Sequence, residues 1–182
     1  CGSLADVWRV SLASGAVSPV ASTGFYARTG IVVGPGGTIY AIGYYDNSWI
    51  SAVLVLNPAT QTFSTLVTLG SIGYPALAGD GQYLWVTLRG VGIDRVSLAD
   101  GSVVQVVRDP SIATYSTLVS AGDYLYGLSG SYVVRRWSKA DGSALNVAGS
   151  GATGYADGTG TDAWFANVTG IASDGTNLWV TD

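Results

Sequence analysis

The 182-residue sequence predicts an all-β fold assembled from repeated four-stranded antiparallel sheets. Three observations carry that expectation. Two short phrases alternate along the chain. One reads GIVVGPGGTIYAIG at 30–43, YPALAGDGQYLWVT at 74–87, STLVSAGDYLYGL at 116–128 and GIASDGTNLWVTD at 170–182. The other reads VWRVSLASGAV from Val7, VLVLNPATQTF from Val53, IDRVSLADGSV from Ile93 and VRRWSKADGSA from Val134. The spacing is nearly constant, because the turn after the second phrase falls at Gly15, Thr60, Gly101 and Gly142, in steps of 45, 41 and 41. Composition opposes helix: Met and Glu are absent, Gly numbers 26, and no 3.6-residue periodicity runs over a useful length.

A unit of about 40–45 residues holding four short strands is the size of one β-propeller blade. Strand one is short and built of small residues, as in Ile31-Val32-Val33, Ala76-Leu77-Ala78 and Ile171-Ala172. A turn follows at Gly36-Gly37, Asp80-Gly81, Gly122-Asp123 or Asp174-Gly175, pairs that accept the positive φ of tight hairpins. Strand two carries aromatic and β-branched residues, as in Leu84-Trp85-Val86-Thr87 and Leu178-Trp179-Val180-Thr181. Strand three alternates Val7, Arg9 and Ser11 against Trp8, Val10 and Leu12, the period of a half-buried strand. Turns at Ser14-Gly15, Asp100-Gly101 and Asp141-Gly142 lead into strand four, as in residues 103–107. The strand-two aromatics (Tyr40, Trp85, Tyr126, Trp179) lie 45, 41 and 53 residues apart. The last step is longer because a glycine-rich loop, 149–169, enlarges that connection.

The pieces are therefore 1–20, 21–68, 69–108, 109–148 and 149–182, forming a single propeller domain or a segment of a larger one. The chain opens on strands three and four and closes on strands one and two. It holds four blade-equivalents, cut between strands two and three of a blade. Three arrangements stay open: closure on itself as four blades, membership of a larger propeller, or edge pairing with the next copy to give a fibre.

Residues 147–182 carry a specific likeness. Their "VAGSG…G…DGTGT-A-F" loop, followed by a "GIA-DG-NLWV-D" strand pair, resembles the NHL-type β-propeller repeat. The usual proline before the first strand is replaced within Asn167-Val168-Thr169. The first three units match in strand pattern alone, and suit quinoprotein-like or Kelch-like propellers equally. The resemblance implies a fold and leaves activity open, since propellers host many functions.

Composition narrows the function classes. Charged residues are 11% and hydrophobic residues 48%, and no apolar run reaches the ~18–20 residues of a membrane-spanning helix. Few charges with abundant Gly, Ser and Thr suit an extracellular or cell-surface module. Eight basic residues, seven of them Arg, form no stripe, which argues against nucleic-acid binding. Cys1 is alone, so no internal disulfide or thiolate cluster exists; it reads as a cut end or as a lipidated terminus. With no His there is no Ser-His-Asp triad, no imidazole metal site and no imidazole proton shuttle. NHL-type lyases that hold metal through histidine could not operate on these residues alone.

The remaining candidates are few. Lys139, the one lysine, is expected to be a solvated hairpin residue beside Asp141-Gly142 rather than the base of a Ser-Lys pair. Asp157 and Asp162 on the long loop are weighed as a carboxylate pair or a weak calcium site, against a role in shaping the loop. Trp164-Phe165 is expected to plug into the sheet interface. Asn167-Val168-Thr169 is the sole N-x-[ST] sequon, which makes Asn167 the glycosylation candidate. Tyr26, Tyr74, Tyr115 and Tyr155 near the blade connections form a possible ligand rim, since rings with a polar tip suit wet interfaces. The expected function is a non-enzymatic structural or interaction module, with no cofactor, meeting other copies of itself or further blades. One alternative is a glycan- or peptide-binding module using the Tyr rim. The other is a fragment of a propeller lyase or hydrolase with catalytic residues elsewhere.

Overall fold

The computed structural model describes residues 6–22, 26–45, 50–71, 75–112 and 117–182. Among these the regular structure is strand, relieved by two 3-10 turns at Pro35–Gly37 and Gly160–Asp162. The chain divides into two compact units, Cys1–Gly73 and Tyr74–Asp182.

The first unit holds a two-stranded sheet of β1 (Asp6–Val10) and β2 (Val17–Ser22). Its second sheet runs in chain order through β3 (Tyr26–Val33), β4 (Ile39–Tyr45), β5 (Ile50–Asn57) and β6 (Thr62–Ser71). Ala52, Val53 and Leu54 of β5 are all buried, so this strand is covered on both faces. The alternation read in strand three works out differently in β1. Val7 is buried, but Trp8, Val10 and Leu12, the apolar face, are exposed. The described sheet has only two strands here, too narrow to shelter both of its faces.

The second unit holds three sheets. The first contains β7 (Leu77–Gly79), β8 (Tyr83–Leu88), β9 (Gly92–Ser97) and β10 (Val103–Arg108). Next come β11 (Leu118–Ala121), β12 (Tyr124–Leu128), β13 (Val134–Ser138) and β14 (Ala144–Ala148). The last contains β15 (Gly170–Ser173) and β16 (Leu178–Thr181). Every pairing within these sheets is antiparallel and joins neighbours in sequence. Short hairpins suffice for such meanders.

One local device explains the repeated D-G-x-x-L-W. Oδ1 of Asp80 accepts the backbone N–H groups of Gln82 and Tyr83, closing the turn, while Oδ2 accepts the indole N–H of Trp85 at 2.8 Å. Asp174 does the same for Thr176, Asn177 and Trp179. Gly81 and Gly175 sit at φ +89° and +91°, where a Cβ would be strained. One carboxylate thus sets both the turn and the aromatic ring above it. The backbone bonds from Asn177 and Thr176 hold the Asp174 carboxyl well below the usual carboxylate range.

Burial then joins like sheets within this unit. Trp85, Ile93 and Val107 of the β7–β10 sheet meet Leu118, Leu125 and Trp137 of the β11–β14 sheet in one cluster. A second cluster joins Leu128, Val134 and Val147 to Ile171, Leu178 and Val180 of the β15–β16 sheet. Trp85 and Trp137 are each only 1% exposed. Burying a large side chain contributes roughly 1.5–3 kcal/mol, so these two rings dominate the first cluster.

Candidate functional site

The long loop before β15 builds a cleft from backbone pairing. Ala156 and Trp164 bridge antiparallel, with Trp164 N–H to Ala156 O at 2.9 Å. Gly154 N–H reaches Phe165 O at 3.0 Å, and Gly149 N–H reaches Gly160 O at 3.0 Å. Neighbouring residues of an extended segment point to opposite sides. Phe165 accordingly turns inward onto the Leu128, Val134 and Val168 cluster, while Trp164 stays 43% exposed. The Trp164 ring lies over Gly154, where an added Cβ would fall 2.6 Å from Cε3. Only glycine lets the ring lie there. The plug expected of Trp164-Phe165 is thus half realised: Phe165 plugs and Trp164 faces out.

Around these rings is a cavity of about 610 Å³. It is lined by Tyr155, Trp164, Phe165, Asp157 and Asp182, with Ala148, Ala156, Gly158 and Ala163 between them. Tyr155 is 82% exposed. The Asp182 carboxylate accepts the backbone N–H groups of Ala166 at 2.9 Å and Asn167 at 2.6 Å, fixing the end of the loop against β16. The Asp157 side chain is exposed and makes no hydrogen bond among the described residues. Three rings, two carboxylates and no basic side chain therefore share one opening.

The other sequence candidates are distributed as follows. Tyr74 and Tyr115 lie outside the described residues, as does Cys1. Tyr26 opens β3, but its side chain is likewise outside them. Asp162 ends the 3-10 turn Gly160–Asp162 and is not among the residues lining the cavity that Asp157 lines. No group of three or more Cys, Asp or Glu side chains suited to a metal ion occurs among the described residues. Asn167 is exposed and lies two residues after Phe165 of the cavity lining. Trp164, Phe165 and Asp182 are site residues that the sequence does not single out for a ligand. The alternation of an extended pair was the available signal for Trp164.

Lys139 requires a correction. It was expected to be solvated, yet its side chain is only 16% exposed. Its ammonium donates to Asp80 Oδ2 at 3.1 Å and lies 5.8 Å from the centre of the Trp85 ring. The β13–β14 turn carries it onto the neighbouring sheet, which covers its stem. Asp80 and Lys139 border a polar cleft of about 450 Å³ with Gly79, Gln82, Ser120 and Gly122. Burial raises the Asp80 carboxyl, but bonds from Trp85, Tyr83, Gln82 and Lys139 outweigh it and leave it lowered. Replacing Lys139 by Ala is expected to cost about 1–2 kcal/mol of stability. Urea unfolding measures this, and a loss below about 0.3 kcal/mol would return the residue to a solvated role.

A second junction is made by Asp109, which is 7% exposed. Its Oδ2 accepts from Arg135 at 2.8 Å and from the Trp137 indole at 2.9 Å. Its Oδ1 accepts the Ser111 N–H at 2.9 Å as well as the Ser111 hydroxyl. Asp94 is the contrasting carboxylate. Its Oδ1 is buried without a partner among the described residues, and burial pushes its carboxyl up.

The sequence matches no family model and no curated protein. Solved structures do match. A protein of unknown function from Bacteroides thetaiotaomicron aligns at TM-score 0.75 and 20% identity, over 97% of this chain and 47% of its own. An auxiliary nutrient binding protein from Bacteroides ovatus aligns at 0.72 and 15% identity, over 94% of this chain and 44% of its own. A gluconolactonase from Xanthomonas campestris aligns at 0.64 and 17% identity, over 96% and 61%. The fold is all-β and propeller-like. At such identities the likeness speaks of fold alone. The chain spans about half the length of the first two structures.

Proposed function

We propose that this chain is a non-enzymatic, extracellular interaction module that binds carbohydrate in the cleft formed by Tyr155, Trp164 and Phe165. The observation that carries the reading is the half-exposed Trp164 ring, packed against Gly154 and lining the same opening as an almost fully exposed Tyr155. Aromatic rings gathered around one concave opening, with a few polar groups beside them, are the composition of a ligand-binding groove. Sugar rings present an apolar face to such platforms and hydroxyls to nearby carboxylates, here Asp157 and Asp182. The nutrient-binding neighbour supports a ligand-binding role for sheets of this kind. Low charge and the exposed Asn167 sequon support the extracellular setting, and the NHL-type pattern of residues 147–182 belongs to the same reading. The exposed Trp8, Val10 and Trp179 of the two-stranded sheets are where such a module would meet further blades or copies.

Binding to an array of neutral oligosaccharides tests the reading. Tyr155→Ala and Trp164→Ala are each expected to weaken binding about tenfold or more, with unchanged stability. A protein that captures no glycan, or variants that bind as well as wild type, would reject it.

The gluconolactonase likeness favours a second reading, in which these sheets belong to a lactone hydrolase. The chain has no histidine, and the titratable side chains lining the opening are Tyr155, Asp157 and Asp182, so proton transfer there would fall to these. Hydrolysis of an aldonolactone by the purified chain, lost in Asp157→Asn, would support this reading over the first.

A further inference from the structure

We infer that the cleft prefers sugars bearing a free amine, an inference that rests on the carbohydrate reading above. The lining contains two carboxylates and no Lys or Arg. Asp182 spends part of its charge on the N–H groups of Ala166 and Asn167. Asp157 is exposed and makes no hydrogen bond or ion pair among the described residues, so no protein group competes with a ligand for its charge. Tyr155 and Trp164 add the negative faces of their rings, which attract an ammonium group. A neutral sugar would use the rings but leave the Asp157 charge answered only by hydroxyl hydrogen bonds. A uronic or sialic acid would place a like charge in the opening and be repelled. An amino sugar, protonated in mildly acidic solution, satisfies the rings and the carboxylates together.

At an opening this exposed, water screens the attraction, so the gain is modest. One carboxylate and one ring face in solvent correspond to a preference of about tenfold. Because exposed charges are screened, the preference falls as salt rises.

The experiment uses the full chain and two probes: linear oligomers of β-linked N-acetylglucosamine, and the same oligomers after de-N-acetylation. Calorimetric titration in mildly acidic, low-salt buffer is expected to show the amine form binding about tenfold tighter. Asp157→Asn is expected to collapse that ratio to about twofold. Asp123→Asn, an equal charge change at an exposed hairpin turn outside the cavity, is expected to leave the ratio intact. Should both aspartate variants lower it equally, the preference belongs to the net charge of −4 and the inference falls. Equal or weaker binding of the amine form also overturns it, while the carbohydrate reading stands. Binding of neither oligomer removes both.

Discussion

Trp137→Ala lowers the free energy of unfolding by about 3–5 kcal/mol, the cost of deleting a fully buried large ring. The ring is 1% exposed and sits where the β7–β10 and β11–β14 sheets share one apolar cluster. Two losses combine. The cluster loses contact with Ile93, Val107 and Leu125, and Asp109 Oδ2 loses its indole donor. Trp137→Phe separates them, since it keeps most of the ring and discards only the N–H. That variant is expected to cost about 1–2 kcal/mol, because Asp109 still accepts from Arg135 and Ser111. Equilibrium urea unfolding at neutral pH gives both values. Equal losses for Phe and Ala would mean that the hydrogen bond, not the ring, joins the sheets.

The propeller-like sheets were legible because their signals are local and repeat. The D-G-x-x-L-W phrase names its own turn: one aspartate side chain closes the hairpin and holds the tryptophan, at Asp80 and again at Asp174. Strand order followed from the 41–45 residue spacing, and each described sheet follows chain order. Burial was less legible, because it depends on what stacks against a sheet. Trp85 and Trp179 occupy the same place in the repeat, yet one is 1% exposed and the other 63%. Nothing within the phrase distinguishes them. The same limit explains β1, whose alternation was read correctly as a strand but whose apolar face is open.

The candidate site was half legible for a related reason. Tyr155 and Asp157 stand in a loop whose glycines advertise irregular backbone, so they could be singled out from the sequence. The outward placing of Trp164 and the role of Asp182 were harder to see, because their partners come from pairing across the loop: Ala156 for the one, Ala166 and Asn167 for the other. Lys139 was misread because hairpin lysines are ordinarily solvated. Here the turn overhangs Trp85 of the next sheet, and the ion pair with Asp80 follows from that overhang. Side chains that act between sheets are set by stacking geometry, which no single repeat encodes.

Asp109 makes the fold sensitive to acid in a defined window. Burial alone would raise its carboxyl, but the bonds from Ser111, Trp137 and Arg135 outweigh that and hold it at about 2. A carboxyl depressed on folding contributes stability that is fully present above its unfolded value of about 3.9 and is lost as pH falls through about 2. The contribution is on the order of 2 kcal/mol, and it disappears as the acid limb is descended. Asp80, Asp100, Asp141 and Asp174 are lowered too and act in the same direction. Asp94, raised by burial, opposes them: its contribution is present at low pH and lost as pH rises through its folded value. Asp109→Asn removes one titration from the limb and leaves Arg135 facing a neutral amide. The variant is expected to be about 3 kcal/mol less stable than wild type at neutral pH. By pH 2 the gap should shrink to about 1 kcal/mol, because the wild-type carboxyl is then half protonated. Urea unfolding at both values measures the gap, and a constant difference between them would show that Asp109 does not carry the charge that joins these sheets.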